Sequence, residues 1–117
     1  MRAKGELRQC KDCERVRELA KFRRKEKWRE HRCVKCTNIW RRYGITGKEF
    51  YAMMEEQLHS CLICEELITE ETANIDHCHD NKNVRALLCR LCNLAIGHLR
   101  HDKEIASRAV EYLIKHT

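Results

Sequence analysis

The chain has 117 residues, 36% of them charged and 43% hydrophobic, with a formal net charge of +6. That leaves room for one domain or two very small ones, and too little apolar material for a large core. No apolar run approaches the roughly 20 residues a membrane-spanning helix needs, so a membrane protein is excluded, and a chain this polar calls for a covalent or metal staple.

Nine cysteines supply the staple, and eight of them fall into four CxxC pairs: Cys10/Cys13, Cys33/Cys36, Cys61/Cys64 and Cys89/Cys92. An odd cysteine count and knuckle spacing argue against a secreted disulfide framework. A thioredoxin-type site needs one CxxC on a βαβ unit, a pattern that is missing. MRAKGELRQC at the N-terminus holds no apolar stretch of the signal-peptide kind. The expectation is a cytoplasmic protein with free thiolates and two structural Zn²⁺ ions.

In chain order, Cys10-Lys-Asp-Cys13 and Cys33-Val-Lys-Cys36 stand 19 residues apart, the spacing of a four-cysteine zinc ribbon. Hairpin-like segments are expected between them, around 18–22 and 27–32. This part is strongly basic: residues 1–48 carry 17 Lys/Arg against 6 Asp/Glu, while 49–117 carry 7 against 12. The asymmetry points to a polyanion, most simply nucleic acid, held by the first half; a solvated basic face is the plainer reading. Candidate phosphate contacts are Arg23, Arg24, Lys25, Lys27, Arg41 and Arg42. Phe22 and Trp28 lie among these cations, either as nucleic-acid contacts or as core.

TNIWRRYG reads as a helix ending at Gly44, a residue suited to a left-handed cap. Thr46 and Glu49 form a capping-box signature for a helix over about 47–58, with Phe50, Met53, Met54 and Leu58 at helical spacing, more a core stripe than a binding surface. Cys61-Leu-Ile-Cys64 follows. Turn residues DNKN at 80–83 predict a β-hairpin of 73–79 and 83–88, leading into a short helix from Arg90. Asp102 is the candidate N-cap for a last helix with an apolar stripe at Ile105, Ala109, Val110, Leu113 and Ile114.

Between Cys64 and Cys89 lie 24 residues, and within them Asp76-His77-Cys78-His79. Cys61, Cys64, Cys89 and Cys92 already close one tetrahedral zinc site. Strand alternation would put His77 and His79 on one face and Asp76 and Cys78 on the other, poor geometry for a single metal. An extra zinc on the two histidines would need a third ligand. The preferred reading gives Asp76 and Asn93, both hard-oxygen donors, one Mg²⁺ or Mn²⁺. His77 becomes a general base, since an unperturbed imidazole titrates near 6.5. The competing reading is a non-enzymatic double-zinc module that binds nucleic acid.

The run YGIT, CLIC, IDHCHD, VRALLCRLCN resembles the recombination endonuclease VII family of HNH nucleases. The resemblance implies a small, zinc-stabilised α+β fold: a ββα-metal (HNH, His-Me finger) core with flanking helices and an N-terminal four-cysteine zinc ribbon. It divides the chain into a basic ribbon-like DNA-binding segment (1–45) and a nuclease domain (46–117). The implied activity is metal-dependent hydrolysis of DNA phosphodiesters, with Asp76 and Asn93 as ligands of the catalytic metal and His77 as base. His79 falls where a supporting histidine is frequent, and Arg85 where an arginine offers a phosphate contact, or else a surface salt bridge. Ala86 stands where glycine is common, and Ile96 where some members carry a carboxylate. Branched or nicked DNA as substrate, and a homodimer as assembly, belong to the family and are not specified by these residues.

Overall fold

A computed structural model describes residues 6–22 and 32–117. Arg23, Arg24, Lys25, Lys27 and Trp28 lie outside the described residues, as does all of the expected 27–32 segment but Arg32.

Strands β1 (Leu7–Gln9) and β2 (Val16–Glu18) pair antiparallel, with Arg8 opposite Arg17. Their reversal is the first CxxC knuckle itself, closed by the Cys10 N–H donating to Arg15 O and the Glu14 N–H donating to Cys10 O. The hairpin therefore sits earlier than 18–22. Two thiolates three residues apart already demand a tight turn, and that turn sets the flanking residues in register. Residues Leu19–Lys21 form a 3₁₀ turn instead, which carries Phe22 into the core at 2% exposure. Phe22 is thus core, not a nucleic-acid contact.

Helix α1 (Val34–Tyr43) begins at Cys33 and stops at Gly44, whose φ of 71° is the left-handed conformation glycine adopts without steric cost. Helix α2 (Gly47–Glu56) opens on the complete Thr46/Glu49 capping box. Phe50, Tyr51 and Met54 are buried, as a core stripe requires. Leu58 leaves the stripe and is 79% exposed, because Leu58 and His59 turn through left-handed backbone (φ 55° and 56°) after the helix ends.

Strands β3 (Asn74–His77) and β4 (Val84–Leu88) form the second hairpin. Asn74 faces Leu88, Ile75 faces Leu87 and Asp76 faces Ala86, but His77 faces Val84, so the ladder skips Arg85. This is a β-bulge, a local re-aiming of one side chain. Helix α3 (Arg90–His98) follows at once, its N-cap Cys89 accepting from the Cys92 N–H. Helix α4 (Lys103–His116) is capped by Asp102, which accepts from the Glu104 and Ile105 N–H groups. Of its apolar stripe, Val110, Leu113 and Ile114 stay more than half exposed.

One hydrophobic cluster runs from Cys10, Phe22 and Ile39 through Phe50 and Met54 to Ile68, Leu87 and Leu88. Ribbon and hairpin-helix unit therefore share a core. The Gln57 amide joins α2 to β4, donating to Leu87 O (2.8 Å) and Ser60 O (2.9 Å) and accepting from the Leu87 N–H (2.9 Å). No helix among the described residues is long and apolar enough to cross a membrane.

Candidate active site and its metal frames

All eight paired cysteines gather as the spacing requires: Cys10, Cys13, Cys33 and Cys36 in one cluster, Cys61, Cys64, Cys89 and Cys92 in the other. Zn–S bonds of about 2.3 Å in a tetrahedron imply S···S edges of roughly 3.8 Å. The observed Sγ separations are 3.8 Å for Cys10–Cys36, 3.5 Å for Cys33–Cys36 and 3.7 Å for Cys64–Cys89. Both donor sets fit zinc. Backbone N–H groups point at the sulfurs, among them Cys33 N to Cys10 Sγ (3.2 Å) and Cys92 N to Cys89 Sγ (3.4 Å). The Cys33 thiol is pulled down to about 5, first by its bond with Cys36. At Cys61, burial works upward, but backbone donors at Cys64, Cys89 and Ile63 outweigh it and bring the thiol to about 6. Their partners move the other way: the bond with Cys33 and burial push the Cys36 thiol up, and burial pushes the Cys92 thiol up, so in each cluster one thiolate stands beside thiols whose protons a metal would displace.

The second cluster ties the end of β4 and the start of α3 to the loop after α2, and a cleft of about 420 Å³ opens where that frame meets α1. Asp76, His77 and His79 line it from the hairpin, Asn93 and His98 from α3, and His101 from the turn that follows. Asp76 is buried at 7% exposure, whereas His77 and Asn93 are half-buried. The His77 and His79 rings stack at 5.5 Å with 10° between planes, as side chains two apart on one face should. Tyr43 also packs on His77, with ring centroids 5.8 Å apart.

Asp76 is held by a fork. Arg85 donates Nε–H to Oδ2 (2.6 Å) and Nη2–H to Oδ1 (3.1 Å), the bidentate geometry that makes Arg–carboxylate pairs strong. The same Nη2 lies 3.0 Å from His101 Nδ1. Because guanidinium has donors only, Nδ1 is the acceptor in that contact.

The sequence pattern of the recombination endonuclease VII family matches residues 36–115. This chain belongs to that family. It is 32% identical over 127 residues to the Gene 59 protein of Mycobacterium phage L5, across 95% of this chain and 76% of that protein. It is also 40% identical over 81 residues to the Gene 59 protein of Mycobacterium phage D29, across 68% of this chain and 49% of that protein. The chain thus spans about half the length of the D29 relative. Among solved structures, the ββα-Me type II restriction endonuclease Hpy99I aligns with a TM-score of 0.46 at 24% identity, covering 95% of this chain and 66% of that one.

Membership places the chain among nucleases, and in this endonuclease VII family member the sequence-predicted residues fall into two groups. Asp76, His77, His79 and Asn93 meet in one cleft. Arg85, expected at phosphate or in a surface ion pair, pairs with Asp76. Arg41 and Arg42 are exposed in the last turn of α1, outside the residues that line the cleft. Sequence reasoning missed Lys35, Tyr43, His98 and His101, all of which line it. The first two come from the ribbon-side helix, which only tertiary packing brings here. The His98/His101 pair, three apart at the end of α3, was visible as a pattern but had no partner in sequence to give it meaning.

Proposed function

We propose that this endonuclease VII family member is a DNA endonuclease that hydrolyses phosphodiesters with one Mg²⁺ or Mn²⁺. The observation that carries the reading is the meeting of Asp76, His77 and Asn93 in one cleft, framed by the second cysteine cluster. Asp76 is a buried carboxylate that already recruits a cation, and Asn93 adds an amide oxygen from α3. That donor set fits a hard divalent ion that keeps several waters. When bound, such an ion supplies charge stabilisation at the phosphate and the leaving oxygen.

The remaining chemistry falls to the chain. His77, unprotonated, takes the proton of a water that attacks phosphorus in line with the leaving 3′ oxygen, giving a 5′-phosphate and a 3′-hydroxyl. Stacking on His79 and packing against Tyr43 fix the ring for that transfer. Arg41, Arg42 and the basic first half hold the DNA backbone, a salt-sensitive and mostly sequence-tolerant grip.

The test is nicking of supercoiled plasmid with Mg²⁺ or Mn²⁺ by wild type and by His77→Ala. Loss of a general base predicts a rate about 10²–10⁴-fold lower with zinc content unchanged. Equal rates in the two proteins, or no cutting by wild type with any divalent ion, would discard the reading. A panel of junction, flap, nicked and linear duplexes then assigns the substrate, with branched or nicked DNA as the expected preference.

A further inference from the structure

Asp76 lines the cleft and already holds a cation, the Arg85 guanidinium, on the carboxylate that a metal would need. Both Asp76 oxygens accept from one guanidinium, at 2.6 and 3.1 Å. The position is built by two separate features of the backbone. The β4 bulge takes Arg85 out of the ladder, with Asp76 opposite Ala86 and His77 opposite Val84. On the far side, Arg100 and His101 both adopt left-handed backbone (φ 57° and 54°), and the His101 N–H donates to Ile96 O at 3.0 Å. That turn presents His101 Nδ1 to Arg85 Nη2 at 3.0 Å. The guanidinium is therefore gripped from a strand and from a turn.

The two partners are unequal in freedom. The Asp76 side chain is 10% exposed and fixed in β3, whereas the Arg85 side chain is 40% exposed. Arg85 can leave without unpacking the core; Asp76 cannot. A divalent ion on Asp76 would face the guanidinium a few ångströms away as a like charge, in a partly desolvated place where such repulsion is weakly screened. Only one of the two cations can hold the carboxylate by both oxygens.

We propose that Arg85 is a tethered counter-cation: it occupies Asp76 in the metal-free protein, competes with the divalent metal for that carboxylate, and is held in place by His101. The proposal rests on the reading of Asp76 as a metal ligand. Metal binding then frees the guanidinium at the rim of the cleft, where a phosphate oxygen is its next partner. Arg85 is a positioning residue for the metal-free site, and it sets the concentration at which metal enters.

The experiment is a Mn²⁺ titration of the zinc-loaded full chain without DNA, following free Mn²⁺ by electron paramagnetic resonance. Thiolate cages favour zinc over Mn²⁺, so the signal reports the oxygen site. Wild type is compared with Arg85→Gln, Arg85→Lys and Asp76→Asn. Removing a unit charge at contact distance predicts at least about tenfold tighter Mn²⁺ binding by Arg85→Gln. Arg85→Lys, which keeps the charge but loses the fork, falls between Gln and wild type. Asp76→Asn abolishes binding. Zinc content and far-UV circular dichroism verify the fold, and if the Gln variant folds poorly the Lys variant decides on the same criterion. Equal or weaker binding by the Arg85 variants, with Asp76→Asn still abolishing it, overturns the proposal and leaves the metal reading standing. Unchanged binding by Asp76→Asn overturns both.

Discussion

Gly47 shows how closely single residues bind the first cage to the rest of the molecule. A Cβ there would collide with the Cys36 sulfur and lie 3.1 Å from Asp12 Oδ2. Asp12 in turn accepts from the Gly47 N–H at 2.7 Å and the Lys48 N–H at 3.1 Å, capping α2 from outside its own segment. Gly47→Ala is therefore an overpacking change, expected to cost about 1–3 kcal/mol. Zinc should also leave the first cluster faster, as measured by chelator competition. A variant with wild-type urea midpoint and zinc release would show that the sulfur shifts freely, contrary to this account. The residue scale also shows where sequence stops. That Asp76, His77 and Asn93 would line one cleft was legible because the first two are adjacent in sequence and Asn93 directly follows the last CxxC. The partner of Asp76 was not, because a bulge leaves no mark in residue types, and Arg85 reads equally well as a surface cation.

Among elements, the seam between β2, α2 and the loop before β3 is polar. The Tyr51 hydroxyl donates to Glu70 Oε2 at 2.6 Å and accepts from Arg17 Nη2 at 2.7 Å. Arg15 lies 3.3 Å above the Tyr51 ring, and Lys35 Nζ donates to Glu70 O at 2.6 Å. Tyr51→Phe strips two hydrogen bonds from charged partners and should cost about 1.5–3 kcal/mol by urea denaturation. The same seam carries a pH signature. Burial pushes the Glu70 carboxyl up, but the Tyr51 hydroxyl and the Arg17 guanidinium outweigh it and leave the group below its ordinary value. A carboxyl lowered by folding contributes stability above its unfolded value, about 4.3 for Glu, and loses it as pH falls through the lower folded value. The stability difference between wild type and Glu70→Gln should thus be constant above about pH 5 and shrink below about pH 4. Taking the difference cancels the acid release of zinc common to both proteins. A difference that grows on acidification would reverse the assigned sign. Helices α1 to α4 were readable from caps and periodicity, and the second hairpin from its turn residues. The first hairpin was misplaced because the knuckle, not a Gly or Asn turn, reverses the chain.

For the molecule as a whole, the question is whether two cages support two independent units. The family resemblance implies a division at residue 45, and packing across that point could not be read from sequence. In the structure a packed and hydrogen-bonded path crosses it. Cys36 lies in α1 and against Gly47, Asp12 caps α2, and Gln57 at the end of α2 clamps Leu87 of β4. Leu87 pairs with Ile75, the neighbour of Asp76. The shared cluster lies along the same path, with Cys36, Phe50 and Leu87 all at 1% exposure or less. A structural zinc can contribute an apparent 10–16 kcal/mol, about the whole net stability of a small domain. Losing the first ion should therefore reach the cleft. Cys36→Ser is expected to lower the melting temperature, to drop zinc from two per chain to one, and to reduce plasmid nicking by more than about tenfold even at saturating DNA, since misplacing catalytic groups by an ångström costs about 10²-fold. Independent units predict a different result: weaker DNA binding, restored by raising DNA concentration, with the cutting rate of the bound complex unchanged. Zinc content, melting temperature and single-turnover nicking, measured on the same preparation, separate the two.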